Sequence, residues 1–250
     1  MPAPDPVISV VIPMLNEAGN VAPLISEIAS VLYSYAPVRD DFEIICIDDG
    51  STDHTATEVK RSYESTPQVR LIRHPKCMGM SPAIRNGVRH ARARWIVTLD
   101  GDRQNDPADI PLLCDTAWNQ GMERNVLVAG IRAQRRDTVA KRIASWFANN
   151  LRKFLLNDDC PDTGCSLKVF PREAYLELPF FKGLHRFMPA LFKLYGHEVL
   201  FTTVNDRPRL SGVTKSDYLG RAVKGFFDLL GVIWLIYRTP IPEKGREELS

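Results

Sequence analysis

Long apolar runs are missing from this sequence. The longest, Gly225 to Tyr237, has 13 residues and is broken by Asp228, well short of the ~18–20 residues a helix needs to cross a bilayer, so no spanning segment is expected. An excess of one charge is missing too. Against 32 Lys and Arg stand 30 Asp and Glu, a formal charge of +2, and no nucleic-acid partner is expected from that balance. The five cysteines sit at no zinc-like spacing; Cys160 and Cys165 come nearest, with no Cys or His pair after them. Reduced thiols of a cytosolic protein are the plainer reading. The opening Met1-Pro-Ala-Pro-Asp-Pro6 has neither the charged nor the apolar region of a secretory signal, so a cytoplasmic location is expected. No Gly-rich fingerprint follows the first apolar segment, which argues against a dinucleotide-binding enzyme and a P-loop nucleotidase.

What is present points to one sizeable α/β domain, with 44% hydrophobic and 25% charged residues, or to such a domain with a C-terminal extension. The most informative stretch is Trp95 to Pro107. Its apolar half, Trp95 to Leu99, reads as a buried strand and runs into Asp100, Asp102 and Asp106. Asp106-Pro107 has the chemistry of a helix cap followed by Pro at the first helical position. That leaves Asp100 and Asp102 without a structural task. Two acids separated by one residue at the end of a strand can converge on a divalent cation and the diphosphate it carries.

Other strands end in the same way. Val7 to Ile12 is nearly all β-branched and is stopped by Pro13, with Asn16 and Glu17 in the loop before an amphipathic helix from about Val21 to Tyr35. Phe42 to Ile47 runs into Asp48-Asp-Gly-Ser-Thr-Asp53, where Asp53 is placed to cap a helix beginning near Thr55 and one acid is free for a ribose or a base N–H. Val69 to Arg73 reads as a third strand, Ser81 to Ala93 as a helix, Val126 to Gly130 as a further strand and Val169-Phe170 as another. Alternation of strand and helix predicts a doubly wound, mostly parallel sheet with helices on both faces.

Three motifs in this order, Val-Ile-Pro-Met-Leu-Asn-Glu from Val11, Asp-Asp-Gly-Ser-Thr-Asp from Asp48, and Asp-Gly-Asp-Arg-Gln-Asn-Asp-Pro from Asp100, resemble the inverting family 2 glycosyltransferases with the Rossmann-like GT-A fold. Asp162-Thr-Gly-Cys-Ser-Leu-Lys168, His185-Arg-Phe-Met-Pro189 and Arg207-Pro-Arg-Leu-Ser-Gly-Val-Thr-Lys215 are similar to segments of its polyprenyl-phosphate subgroup, the dolichol-phosphate mannose synthase group. The resemblance implies that Pro13, Asn16, Glu17, Asp48 and Asp49 line a nucleotide site. It further implies that Asp100, Asp102 and Gln104 hold Mg²⁺ or Mn²⁺ and the sugar diphosphate, with Asp162, Lys168, Arg209 and Lys215 near the sugar and phosphates. Two positions depart from the pattern. Cys77-Met-Gly79 replaces the expected Gly-Lys or Asn-x-Gly, and Asp206 replaces a basic residue or His.

A basic cluster follows the Val126 strand: Arg132-Ala-Gln-Arg-Arg136, then a helix from about Thr138 to Leu156. Arg132, Arg142 and Ser145 are expected to hold the phosphate of the second substrate, because the subgroup uses basic residues there and a lipid phosphate needs such donors. A phosphate monoester is already an anionic nucleophile, so no strong general base is required. The expected reaction is transfer of a sugar, with inversion, from a UDP- or GDP-sugar to a polyprenyl phosphate, with Asp102, Arg132 and Arg142 at the chemistry. The alternatives are transfer to a sugar hydroxyl of a cell-surface glycan, which would need a carboxylate such as Asp158, Asp159 or Asp162, and a non-catalytic nucleotide-sugar-binding subunit. Residues 1–216 are expected to form the transferase domain, 217–238 a C-terminal amphipathic helix, and 239–250 a polar tail. Leu219, Val223, Phe226, Phe227, Leu230, Ile233 and Trp234 share a broad face of that helix, which fits core packing or contact with the cytoplasmic face of a membrane. A membrane-protein partner or homo-oligomer would be compatible with either.

Overall fold

The computed structural model describes residues 5–133, 156, 158–208 and 218–239. Seven strands form one sheet: β1 (Ile8–Met14), β2 (Phe42–Asp48), β3 (Val69–Arg73), β4 (Trp95–Thr98), β5 (Val126–Arg132), β6 (Lys168–Pro171) and β7 (Glu198–Val204). Their spatial order is β3-β2-β1-β4-β6-β5-β7. β1 pairs in parallel with β2 and β4, and β2 with β3. β6 runs antiparallel to both β4 and β5, while β7 is parallel to β5.

The described helices are α1 (Ala18–Ser34), α2 (Thr55–Ser65), α3 (Met80–His90), α4 (Ile110–Trp118), α5 (Arg172–Glu177), α6 (Met188–Leu194) and α7 (Tyr218–Arg238). They cover both faces of the sheet, because successive strand side chains point to opposite sides and both sides are apolar. Ile8, Val10 and Ile12 of β1 with Phe42, Ile44 and Cys46 of β2 pack under α1, α2 and α4. Val11, Ile45 and Ile47 face the other way, into a core shared with α3, α5, α6 and α7.

A polar network lies inside this apolar frame. Glu43 on β2, fully buried, sits opposite Ser9 of β1 and accepts from Ser9 Oγ at 2.6 Å, from the Arg92 backbone N–H at 2.7 Å and from Arg70. Burial pushes its pKa up, but these donors outweigh that and hold it below the ordinary carboxylate value. The network ties β1, β2, β3 and the turn after α3 together at the end of the sheet away from the acidic loops.

Several expectations shift. α1 starts at Ala18 rather than Val21, and α3 spans Met80–His90 rather than Ser81 to Ala93. β6 reverses direction where simple alternation predicts a parallel strand, and β7 had no counterpart in the sequence reading. The described part of the basic segment ends at residue 133, so Arg142 and Ser145 lie outside the described residues, as do Arg209 and Lys215.

α3 approaches the sheet through Gly87. A Cβ there would lie 2.5 Å from Val11 Cγ1 and 2.7 Å from Ile47 Cδ1, closer than carbon atoms can approach, so the absence of a side chain sets the helix-to-sheet distance. Alanine has the better helix propensity by about 1 kcal/mol, yet Gly87→Ala should lower stability by about 1–3 kcal/mol through overpacking. Urea denaturation measures this; an unchanged or raised midpoint would refute it.

Candidate active site

The loops leaving β1, β2 and β4 emerge at the same edge of the sheet and enclose an open cleft of about 250 Å³. Pro13, Glu17, Asp49, Gly79, Asp100 and Asp102 are among its lining residues. Gly101 lets the two acids of the β4 loop come this close to β1: a Cβ on it would sit 3.0 Å from Met14 Cγ and 3.2 Å from the Pro13 carbonyl oxygen.

The β2 loop is internally braced. Asp48 is buried, accepts from the Ser51 N–H at 2.8 Å and pairs with Arg73 Nε at 2.9 Å. It therefore holds its own loop. Asp49 reaches the cleft wall and receives the Met78 and Gly79 N–H groups at 2.9 and 2.8 Å, the Cys77 thiol at 3.3 Å, and His74 Nδ1 at 2.7 Å. Asn86 Nδ2 lies 2.9 Å from His74 Nε2; as a donor there it leaves the ring proton on Nδ1, aimed at Asp49. Burial raises the Asp49 pKa, and these bonds more than reverse that, so it stays a carboxylate. Asn16 bridges the first two loops: its N–H donates to Ser51 Oγ and its Oδ1 accepts from the Thr52 N–H, both at 2.9 Å. Asp53 is not the N-cap expected of it: that position is His54, which makes no side-chain cap, while Asp53 one residue earlier accepts the Thr55 N–H at 2.9 Å and, on its other oxygen, the Ala18 N–H at the start of α1.

The β4 loop is satisfied less completely. Asp106 accepts the Ala108 N–H at 2.9 Å ahead of Pro107, so the expected cap is present, on a 3₁₀ turn preceding α4. Asp100 and Asp102 do have local tasks, contrary to the sequence reading. Asp102 Oδ1 accepts the Gln104 N–H at 3.1 Å, and Asp100 Oδ2 accepts from Ser166 Oγ at 2.7 Å. Asp100 Oδ1, however, is shut off from solvent with no hydrogen-bond partner among the described residues. Burial first, and the neighbouring Asp102 charge after it, push the Asp100 pKa up to about 6, against the Ser166 bond, Lys168 and Arg132. The like charges of the two groups disfavour their both being ionised unless a cation answers them.

No cluster of three or more His, Cys, Asp or Glu able to enclose a metal occurs among the described residues. Two carboxylates, one with a buried oxygen lacking a donor, nevertheless fit Mg²⁺ or Mn²⁺, which take hard oxygen ligands and complete their shells with water and substrate phosphate. Beside this pair, Lys168 at the start of β6 donates to the Cys165 carbonyl. At the end of β5, Arg132 grips Asp162 through Nε at 2.8 Å and Nη2 at 2.9 Å. That two-pronged bond raises the Arg132 pKa and keeps the guanidinium charged. Its donors are largely committed to Asp162.

Of the residues singled out from sequence, Pro13, Glu17, Asp49, Asp100 and Asp102 meet in the cleft, with Lys168, Arg132 and Asp162 packed behind the Asp100 end. Asn16 and Asp48 serve the loops. Gln104 joins through its backbone, donating to Asp102 and accepting from the Arg207 N–H at 2.9 Å. Asp206 forms a bridge with Asn105, while the Arg207 side chain pairs with Glu27 and Asp106, so the segment leading to Arg209 is strapped to the β4 loop. Ser166, His74 and Asn86 were missed. Ser166 lay within a motif already noticed; the other two carried no local signal.

A mostly parallel sheet with one reversed strand beside the Asp-Gly-Asp loop, and a cleft over the strand ends, is the GT-A fold of nucleotide-sugar transferases. The model of the family described as "Glycosyl transferase family 2" matches residues 9–178, and the chain belongs to that family. Dodecaprenyl-phosphate galacturonate synthase of Rhizobium johnstonii is 32% identical over 240 residues, covering 93% of this chain and 69% of that protein. Undecaprenyl-phosphate 4-deoxy-4-formamido-L-arabinose transferase of Pectobacterium carotovorum is 29% identical over 225 residues, 89% of this chain and 66% of the relative. The chain thus spans about two thirds of the length of these relatives. Among solved structures, glucosyl-3-phosphoglycerate synthase of Mycobacterium tuberculosis, in complex with Mn²⁺, UDP and glucosyl-3-phosphoglycerate, aligns with a TM-score of 0.69 at 21% identity, over 91% of this chain and 80% of that one. That likeness is one of fold.

The state of Asp100 has a measurable consequence. Its folded pKa of about 6 lies above the ordinary 3.8, so without metal its contribution to stability declines as pH rises through that interval. Asp100→Asn should remove most of this decline, raising stability at pH 7.5 by about 1–3 kcal/mol while matching wild type near pH 3.5. Urea titrations in EDTA at the two pH values decide it; a variant less stable at both would show that the carboxylate is satisfied.

Proposed function

We propose that this chain transfers a sugar, with inversion, from a nucleotide-sugar to a polyprenyl phosphate. The observation that carries the reading is the Asp100 carboxylate, with a buried oxygen that has no hydrogen-bond partner among the described residues, beside Asp102 and across the cleft from the braced Asp49 loop. Asp49 and Pro13 form the nucleotide side. Asp100 and Asp102 would hold Mg²⁺ or Mn²⁺, which when bound stabilises the departing nucleoside diphosphate. Lys168 and the Arg132 guanidinium, the latter held by Asp162, lie next to that end and favour ionisation of Asp100. The neighbouring structures with UDP and Mn²⁺ or Mg²⁺ support a nucleotide-sugar donor and a divalent ion.

The acceptor follows from which acids are available. A hydroxyl acceptor needs a carboxylate to take its proton, and the three acids considered for that task are engaged. Asp162 is clasped by Arg132, Asp159 pairs with Lys193 at 2.7 Å, and Asp158 is buried and accepts the Cys160 N–H. An already anionic phosphate needs none of them. The names of the two bacterial relatives above, both polyprenyl-phosphate sugar enzymes, agree with this choice.

Such an acceptor resides in a membrane, and α7 offers a surface to meet one. No helix among the described residues is long and apolar enough to cross a bilayer. Phe227, Leu230, Trp234 and Tyr237 are nonetheless exposed at 66%, 46%, 63% and 85%, spaced three, four and three residues apart on one side of the helix. Leu229 and Val232 are buried on its other side. This stripe of aromatics, ending at Arg238, suits a helix lying in the interfacial plane.

Purified protein with Mn²⁺, a panel of UDP- and GDP-sugars and a short polyprenyl phosphate should yield a lipid-phosphate-sugar mass in the organic phase. Asp102→Ala should reduce its formation by at least about 10³-fold while unfolding at the wild-type midpoint. Near wild-type turnover in that variant would remove the metal assignment. In flotation with phosphatidylglycerol vesicles, Trp234→Ser together with Tyr237→Ser should weaken binding about tenfold or more; equal flotation would exclude α7 as the contact.

A further inference from the structure

A second hollow, of about 450 Å³, shares the Gly79–Met80 wall with the nucleotide cleft and lies on its α7 side. Ser81, Lys182, His185, Arg186 and Asp228 line the rest. Neither Lys182 nor Arg186 has an ion-pair partner among the described residues. Lys182 reaches across to the wall, its Cε 3.8 Å from where a Cβ on Gly79 would lie.

The proton on His185 can be placed. Ser81 Oγ accepts the Gly183 and His185 N–H groups at 3.1 and 3.4 Å and lies 2.7 Å from His185 Nδ1. With its lone pairs taken, the hydroxyl has its proton left to give, so it donates to Nδ1 and the ring carries its hydrogen on Nε2. Burial, then the Arg186 and Lys168 charges, lower the His185 pKa to about 3. The ring is therefore a fixed neutral donor. The hollow thus gathers an ammonium, a guanidinium and an imidazole N–H, with Asp228 as its one lining carboxylate among the described residues. Asp228 is set against Gly183, where a Cβ would come within 3.1 Å of its Oδ2, and no described carboxylate forms an ion pair with either cation.

We propose that this hollow is an oxyanion subsite, in which Lys182, Arg186 and His185 Nε2–H hold a carboxylate or phosphate group of a substrate next to the nucleotide. The inference rests on the nucleotide-sugar reading for the ligand in the adjoining cleft. Two sources of the group share this chemistry: a carboxylate on the transferred sugar, and the phosphate of the acceptor. Charge-assisted bonds of this kind separate a matching ligand from a neutral one by about tenfold or more.

Calorimetry with Mn²⁺ on wild type, Lys182→Ala and Arg186→Gln, using UDP, UDP-galactose, UDP-galacturonate and inorganic phosphate as probes, tests it. UDP affinity shared by all three proteins reports an intact fold and cleft. A wild-type preference for UDP-galacturonate over UDP-galactose of about tenfold, lost in both variants, assigns the hollow to a sugar carboxylate. Phosphate binding in the presence of UDP that weakens about tenfold in both variants, without a preference among sugars, assigns it to the acceptor. Variants matching wild type toward every probe overturn the proposal. If wild type binds no UDP, the nucleotide reading fails by itself, and phosphate titrated alone judges the hollow: weakening in both variants retains it, and no difference removes it.

Discussion

Parallel pairing of β1 with β2 on one side and β4 on the other is the constraint from which the site follows. Ile8 is in register with both Phe42 and Trp95, so the three strands run together and their following loops emerge at one edge. Each loop carries acids, and the fold has to accommodate several carboxylates within one small region. It does so unequally. Asp48 is paired, Asp49 is surrounded by four donors, and Asp100 has a hydroxyl on one oxygen and no donor among the described residues on the other. The proposed site for a cation and a diphosphate rests on that carboxylate, because an unmet buried polar group is tolerated where function requires it.

The reversed strand β6 completes this arrangement. Running antiparallel between β4 and β5, it brings the 162–168 loop back to the active edge, so that Ser166 reaches Asp100 and Lys168 lies opposite Thr98. Asp162 meets Arg132 at the end of β5 by the same route. A parallel β6 would have carried these residues to the opposite edge. The basic and acidic groups there are consequently coupled: Arg132 and Lys168 both favour ionisation of Asp100, while Asp162 holds Arg132 in place. On the other side, the start of α3 serves as a partition, with its Gly79 and Met80 lining the cleft and the basic hollow alike.

Much of the frame was legible from local pattern. Uninterrupted β-branched runs marked β1, β2 and β4, and 3.6-residue periodicity marked α1. Asp106-Pro107 announced its cap, because that signal acts over a few residues. The acid pairs after strands pointed to the cleft before any coordinates, since strand ends in an α/β sheet are where ligands bind. β7 escaped notice because its residues are mostly half-exposed, which blurs the pattern a buried strand prints. β6 was seen as a strand but not as a reversed one. Direction depends on the path of the intervening chain, not on the four residues that form it.

By itself, then, the sequence determined the α/β class, the three acidic loops and their order, and membership of a family through motifs contiguous in the chain. The tertiary structure decided what each charged residue does. Asp48 and Asp49 are adjacent, yet one braces a loop through Arg73 and the other lines the cleft beside His74 and Gly79. Arg132 is bound to Asp162, and His185 owes its proton position to Ser81, which is 104 residues away. The physical reason is that a charge's role is set by desolvation and by the donors within about 3 Å of it. Those donors arrive from distant parts of the chain only once the sheet has closed.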